Sequence, residues 1–214
     1  MKTILFVKCE GCGKENFLNY TLSKTEIKDT CTCGNQFSYL LGSEITIGTR
    51  ILERSKYEFK INEDYSLSIV FSAMSFECEL SSMYVKWGNI SKNKSDQELE
   101  EFLRKLGNIQ DRIQELSKLM FSVSFEKFVQ DNSDLYAQIK GGFKSLCVEN
   151  LAESFQKKLF WPRNKVLHSG YSDYTSDDAK RCLNIAELGL RIFDKMDKHK
   201  SNQCRTLVSV SPSL

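Results

Sequence analysis

The sequence predicts a mainly α protein, a helical body preceded by a small β module that carries paired cysteines. Three observations lead there. Two short cysteine turns, Cys9-Glu10-Gly11-Cys12-Gly13 and Cys31-Thr32-Cys33-Gly34, stand near the start of the chain. From Thr3 to Ile61 apolar and polar residues alternate: Ile45 and Ile47 flank Thr46, and Tyr57, Phe59 and Ile61 interleave with Lys56, Glu58 and Lys60. A period of two is the signature of strands. Beyond Asn62-Glu63-Asp64 the apolar period changes to three and four, which is helical. The expected division is therefore 1–62 for the cysteine module and its short strands, 63–200 for the helical domain and 201–214 for a C-terminal tail.

Within the helical part, Ile69, Ala73, Phe76, Leu80, Met83 and Trp87 fall on one face and predict a helix from about Asp64 to Asn89. Ser95-Asp96-Gln97-Glu98 has the pattern of a capping box and opens a second helix that runs to about Met120. Val123 to Gln130 reads as a shorter helix, followed by a polar loop and the pair Gly141-Gly142. A further helix spans about Ser145 to Phe160. Pro162 lacks a backbone donor, so it kinks that helix or starts a new one. The last long helix opens at Thr175-Ser176-Asp177-Asp178. It carries Ala179, Cys182, Ala186, Gly189, Phe193 and Met196, and the small residues among them permit close approach of a neighbour. Past Lys200 the tail is expected to fray.

Composition sets the remaining bounds. Of 214 residues, 41% are hydrophobic and 27% charged, and no apolar run approaches the ~18 residues of a membrane span. The five mostly apolar residues from Thr3 to Val7 are too few for a signal-peptide core, so the expectation is a cytoplasmic protein with reduced thiols. The net charge of +2 does not by itself indicate a nucleic-acid partner. Its distribution is more telling: between Lys140 and Gly170 six basic residues (Lys140, Lys144, Lys157, Lys158, Arg163, Lys165) face only Glu149 and Glu153.

Cys9, Cys12, Cys31 and Cys33 are the candidate metal ligands. Each cysteine turn is followed by a glycine that lets the backbone curl so that amides point at sulfur, and four thiolates satisfy a tetrahedral ion. Residues 1–45 resemble a zinc ribbon, which implies structural Zn2+; the alternatives are a reduced structural pair of cysteine turns and, next, iron. The second turn departs from the usual pattern, being Cys-x-Cys where ribbons commonly have Cys-x-x-Cys. A closed four-cysteine site leaves no position for water and supplies fold, not chemistry.

Arg163-Asn164-Lys165-Val166-Leu167-His168 lies just after Trp161-Pro162, inside the basic stretch. Near the end of the penultimate helix of an all-α domain, this pattern resembles the Arg-x(4–6)-His motif of HEPN domains, helical bundles of which many are ribonucleases. The resemblance covers about residues 64–198. It implies an endoribonuclease without a catalytic metal, with Arg163, Asn164 and His168 as catalytic residues and 2′,3′-cyclic phosphate and 5′-hydroxyl ends as products. The chemistry suits them. Histidine titrates nearest neutrality and can move the proton of the 2′-hydroxyl or of the leaving oxygen. Arginine offers a fork of donors to phosphate oxygens. Asn164 can hold the phosphate or orient the imidazole.

Around this motif, Lys157, Lys158 and Lys165 are candidate RNA contacts, and Lys165, Glu77 and Tyr171 candidate accessory residues. Glu77 stands at the edge of an apolar helix face, where a carboxylate needs a partner such as Arg163. Some toxin members of the family read His-x-Tyr and have that tyrosine modified by an antitoxin; here Tyr171 stands one position later. The resemblance further implies a homodimer, whose interface Phe160, Trp161 and Leu167 could line, a regulatory or antitoxin partner, and a role in bacterial stress response or defence. His199, between two lysines, reads as a residue complementing a helix dipole. The competing reading is a non-catalytic adaptor that binds RNA, a nucleotide or a protein, with Arg163 in a plain ion pair and His168 capping its helix.

Overall fold

The computed structural model describes residues 2–9, 11–21, 26–40 and 46–209. Two antiparallel hairpins come first. Strand β1 (Lys2–Lys8) pairs with β2 (Glu15–Thr21), with Leu5 opposite Leu18, and β3 (Glu26–Thr30) pairs with β4 (Gln36–Leu40), with Lys28 opposite Ser38. A cysteine turn closes each hairpin.

Helix begins much earlier than the alternation of residues 45–61 suggests. Helix α1 (Ile47–Tyr57) starts at Thr46, whose hydroxyl accepts from the Thr49 amide at 3.2 Å, and continues into a π-helical turn over Glu58–Asn62. Of its buried positions, Gly48, Leu52, Ser55 and Glu58 are spaced by three and four, and Glu53 is buried beside them. The strand reading would bury Ile61 and expose Glu58; instead Ile61 is 43% exposed and Glu58 1%. Small residues and a buried carboxylate, bonded by Asn62 Nδ2 at 2.6 Å and paired with Arg54, disguised the helical face. Ile45 lies outside the described residues.

Helix α2 (Tyr65–Lys92) is capped by Asp64, which accepts from the Leu67 amide at 2.9 Å. Its buried Ser68 and Ser72 meet Ser55 of α1, whose hydroxyl donates to the Ser68 carbonyl at 2.7 Å. Side chains this small let the two helices lie close together. The stretch expected to form one helix over 95–120 is two, α3 (Asp96–Lys105) and α4 (Ile109–Phe121). Gly107 takes a left-handed φ of 71°, and Asn108 caps α4 by accepting from the Asp111 amide at 2.8 Å. The capping box at Ser95 and Glu98 is present.

Helix α5 (Phe125–Asp131) is followed directly by α6 (Ser133–Gly142), where a polar loop was expected; Asn132 caps α6, and Leu135 and Ile139 bury one face of it. After a 3₁₀ turn, α7 (Leu151–Phe155), a π-helical turn over Gln156–Phe160 and α8 (Trp161–Ser169) follow without interruption. Pro162 cannot donate to the Lys158 carbonyl, and the Cys182 thiol reaches that carbonyl at 3.5 Å. Helix α9 (Ser176–Ser209) opens on reciprocal bonds between Thr175 and Asp178, each 3.2 Å from amide to side chain, and extends well past Lys200. Residues 210–214 of the expected tail lie outside the described residues.

Phe76 of α2 is the hub of the core, with ring centres of Phe155 at 4.8 Å, Phe193 at 4.9 Å and Phe160 at 5.7 Å. Phe160 is thus a core residue and not free to line an interface. Gly189 of α9 admits this ring: a Cβ there would stand 2.2 Å from it. Among the described residues no helix is long and apolar enough to cross a membrane.

Candidate functional site

Two separate clusters carry chemistry. In the first, the sulfurs of Cys9, Cys12, Cys31 and Cys33 all lie within 4.8 Å of one another. The Gly13 amide donates to the Cys9 carbonyl and the Gly34 amide to the Cys31 carbonyl, both at 2.8 Å. Both glycines have a left-handed φ, 73° and 87°. The shorter second turn closes by the same device, so Cys-x-Cys still delivers both sulfurs. Cys9 and Cys33 are 3.7 Å apart, and Cys12 and Cys31 3.6 Å. Metal–sulfur bonds of about 2.3 Å in a tetrahedron require edges of about 3.8 Å, so the four positions fit such an ion.

Backbone amides favour the thiolates of Cys9 and Cys31. The Cys33 amide leads the groups that pull Cys31 down to about 6, and the Cys12 amide leads those that lower Cys9. Cys12 is pushed up to about 12: the Lys14 amide favours its thiolate, but the crowded sulfurs of Cys33, Cys31 and Cys9, with desolvation, outweigh that amide. A cation among the four sulfurs removes this conflict.

The second cluster is built by α2, α4 and α8 around Glu77. Arg112 Nη1 donates to Glu77 Oε1 at 2.7 Å, while Arg163 Nη2 stands 3.6 Å from Oε2, too far for a hydrogen bond. Arg163 Nη1 donates to Asn164 Oδ1 at 2.9 Å. The Nε atoms of both arginines are buried without a partner. Two guanidinium groups share one carboxylate, so the cluster keeps one net positive charge. Arg112 bonds only Oε1, and Arg163 faces Oε2 in an ion pair without a hydrogen bond, so its Nη2 donors are not spent on Glu77.

The structure therefore brings Glu77, Arg163 and Asn164 together and adds Arg112, which sequence reasoning missed. A signal existed: Arg112 follows Ile109 by three and precedes Leu116 by four, which sets a cation beside the buried face of α4. His168 is exposed, and among the described residues no hydrogen bond joins its ring to Arg163 or Asn164. Gly170, at a φ of 60°, ends α8, and its amide bonds the Lys165 carbonyl. Tyr171 packs edge-on against Tyr174 at 4.8 Å, and Tyr174 donates to the Pro162 carbonyl at 3.1 Å, which ties the segment after α8 back to its first turn.

Lys157, Lys158 and Lys165 are exposed. Lys157 pairs with Glu153 at 2.5 Å; among the described residues no carboxylate pairs with Lys158 or Lys165. His199 sits inside α9, not at its end, edge-on to Phe121 at 5.5 Å and Phe128 at 6.0 Å.

No family model, no curated protein and no solved structure matches this chain.

Proposed function

We propose that this chain is a metal-independent endoribonuclease of the HEPN type with a zinc-ribbon module at its start. The observation that carries the reading is the poise of Arg163. Its guanidinium is held beside Glu77 with donors to spare, on the same helix as an exposed imidazole. In the proposed reaction the 2′-hydroxyl oxygen attacks the adjacent phosphorus, a bond forms to give the 2′,3′-cyclic phosphate, and the bond to the 5′-oxygen breaks. His168 takes the 2′-hydroxyl proton or supplies one to the departing oxygen. Arg163 offers N–H groups to the phosphate oxygens as charge gathers there, and Asn164 fixes the Arg163 fork. The exposed Lys158 and Lys165 supply attraction for the chain of phosphates.

Zinc suits the four-thiolate cluster, whose role is to join the two hairpins. The active unit in this reading is a homodimer. Incubation of the purified protein with labelled RNA tests the activity. Cleavage is expected to leave 2′,3′-cyclic phosphate ends, to survive brief chelation and to disappear in His168→Ala with the melting temperature unchanged. Cleavage that persists in that variant, or that requires added magnesium, would retire the assignment.

A further inference from the structure

We propose that Trp161 is a stacking platform for an unpaired RNA base, set on the same helix face as His168. This rests on the RNA reading above and extends it from phosphate chemistry to the recognition of single strands. The chain has two tryptophans, and they are placed oppositely. Trp87 is 3% exposed and donates its indole N–H to Asp197 at 2.8 Å. Trp161 is 54% exposed, more than Tyr171, Tyr136 or Phe102.

Helix geometry shows what accompanies it. Helix α8 has no fully buried residue. At about 100° per residue, Trp161, Asn164, Lys165 and His168 fall within an arc of about 100°. Arg163 and Val166, both half-buried, turn toward the body. Leu167, 50% exposed, points about 120° away from Trp161. Within α8 the indole thus shares its face with an amide, an ammonium and an imidazole and with no apolar side chain.

That composition decides between occupants. The centre of a protein interface is depleted of charge around its aromatic anchors. A site for single-stranded nucleic acid instead sets an aromatic face among cations, because bases stack while phosphates pair. The charge is complementary to such a ligand: Lys158 and Lys165 have no carboxylate partner among the described residues, and from Ser154 to Ser172 the chain has no acidic residue. Trp161 and His168 are seven positions apart, about 10 Å along the axis, so one extended strand can touch both.

The test uses the full-length protein and an uncleavable probe, a 2′-O-methyl oligouridylate of about eight nucleotides, beside an abasic strand of equal length. With the 2′-oxygen blocked, binding is read whether or not the protein cleaves RNA. The probe is expected to quench the emission of the exposed indole, and Trp161→Ala to weaken binding about ten- to hundredfold. Trp161→Phe, which keeps a π-face, should stay within a few-fold of the parent, and the abasic strand should bind the parent as weakly as the oligouridylate binds Trp161→Ala. Equal affinity of parent and Trp161→Ala, equal binding of the abasic strand, or unquenched emission at saturating probe would overturn the proposal. So would a Trp161→Ala chain that dissociates from its own copies while binding the probe normally, because Trp161 would then be a protein contact. Stacking without any RNA cleavage would uphold this site and retire the nuclease alone.

Discussion

Arg112 and Arg163 compete for one carboxylate. Arg112 bonds Oε1 of Glu77 at 2.7 Å, and Arg163 stands 3.6 Å from Oε2 without a hydrogen bond to it. Replacing Arg112 by methionine keeps the stem and deletes the charge, so Glu77 should draw Arg163 into a closed pair. Steady-state cleavage by Arg112→Met is expected to fall about tenfold, the equivalent of about 1.4 kcal/mol. Adding Glu77→Gln to that variant should restore part of the rate, because the competing carboxylate is gone. A double variant slower than Arg112→Met would contradict this charge logic. Of this cluster, Arg163 and Asn164 were legible because they are neighbours in sequence, and Glu77 because a carboxylate at the edge of an apolar face demands a partner; His168, named with them from the sequence, stands exposed and outside it. The place of Arg112 beside the buried face of α4 was legible but its partner was not, since the contact between α4 and α2 exists only after both helices have packed on the same core.

At the scale of elements, the sequence was most legible where apolar residues mark the buried face. Ile69, Ala73, Phe76, Leu80, Met83 and Trp87 mark α2, and all are buried. It was least legible in α1, whose buried face is written in Gly48, Ser55 and Glu58, and at Gly107-Asn108, where a left-handed glycine and a capping asparagine divide two helices. The crossing of α9 over α2 gives a direct test of packing. A Cβ on Gly189 would meet the Phe76 ring at 2.2 Å, and Phe76 is locked among three aromatic rings. Alanine is the better helix former by about 1 kcal/mol, but overpacking a rigid core costs about 1–3 kcal/mol. Thermal melts of Gly189→Ala should therefore show a loss of about 1–2 kcal/mol, and a gain would mean that the ring can move aside. The hairpins offer a separate test, because their four cysteines cluster around a space fit for an ion. Elemental analysis should find about one zinc per chain, as expected for one four-thiolate site. Cys31→Ser should lose the metal, unfold the hairpins and leave the far-UV helical signal nearly intact. A metal content unchanged in Cys31→Ser would remove that residue from the ligand set.

Over the whole molecule, the proposed chemistry asks for more than one chain supplies. Arg163 and His168 are about 140° apart around α8, the first turned toward Glu77 and the second toward solvent. Cleavage calls for an acid, a base and charge stabilisation around one phosphate, and a single imidazole cannot hold the acid and base roles at the same instant. Leu167, 50% exposed, projects between the directions of Arg163 and His168, where an apolar contact beside a two-fold axis would bring two motifs face to face. Leu167→Asp is therefore expected to yield monomers by light scattering and to lose cleavage while the helical signal persists. Complementation then separates a shared cleft from two independent ones. Differently tagged Arg163→Ala and His168→Ala chains, coexpressed and purified as mixed pairs, are each inactive as pure species in this reading. If one cleft takes Arg163 from one chain and His168 from the other, the mixed pair rebuilds one intact combination and recovers part of the parental rate. Inactive mixed pairs would require both residues from the same chain or in both copies, and a monomer active at the full parental rate would refute the shared cleft outright.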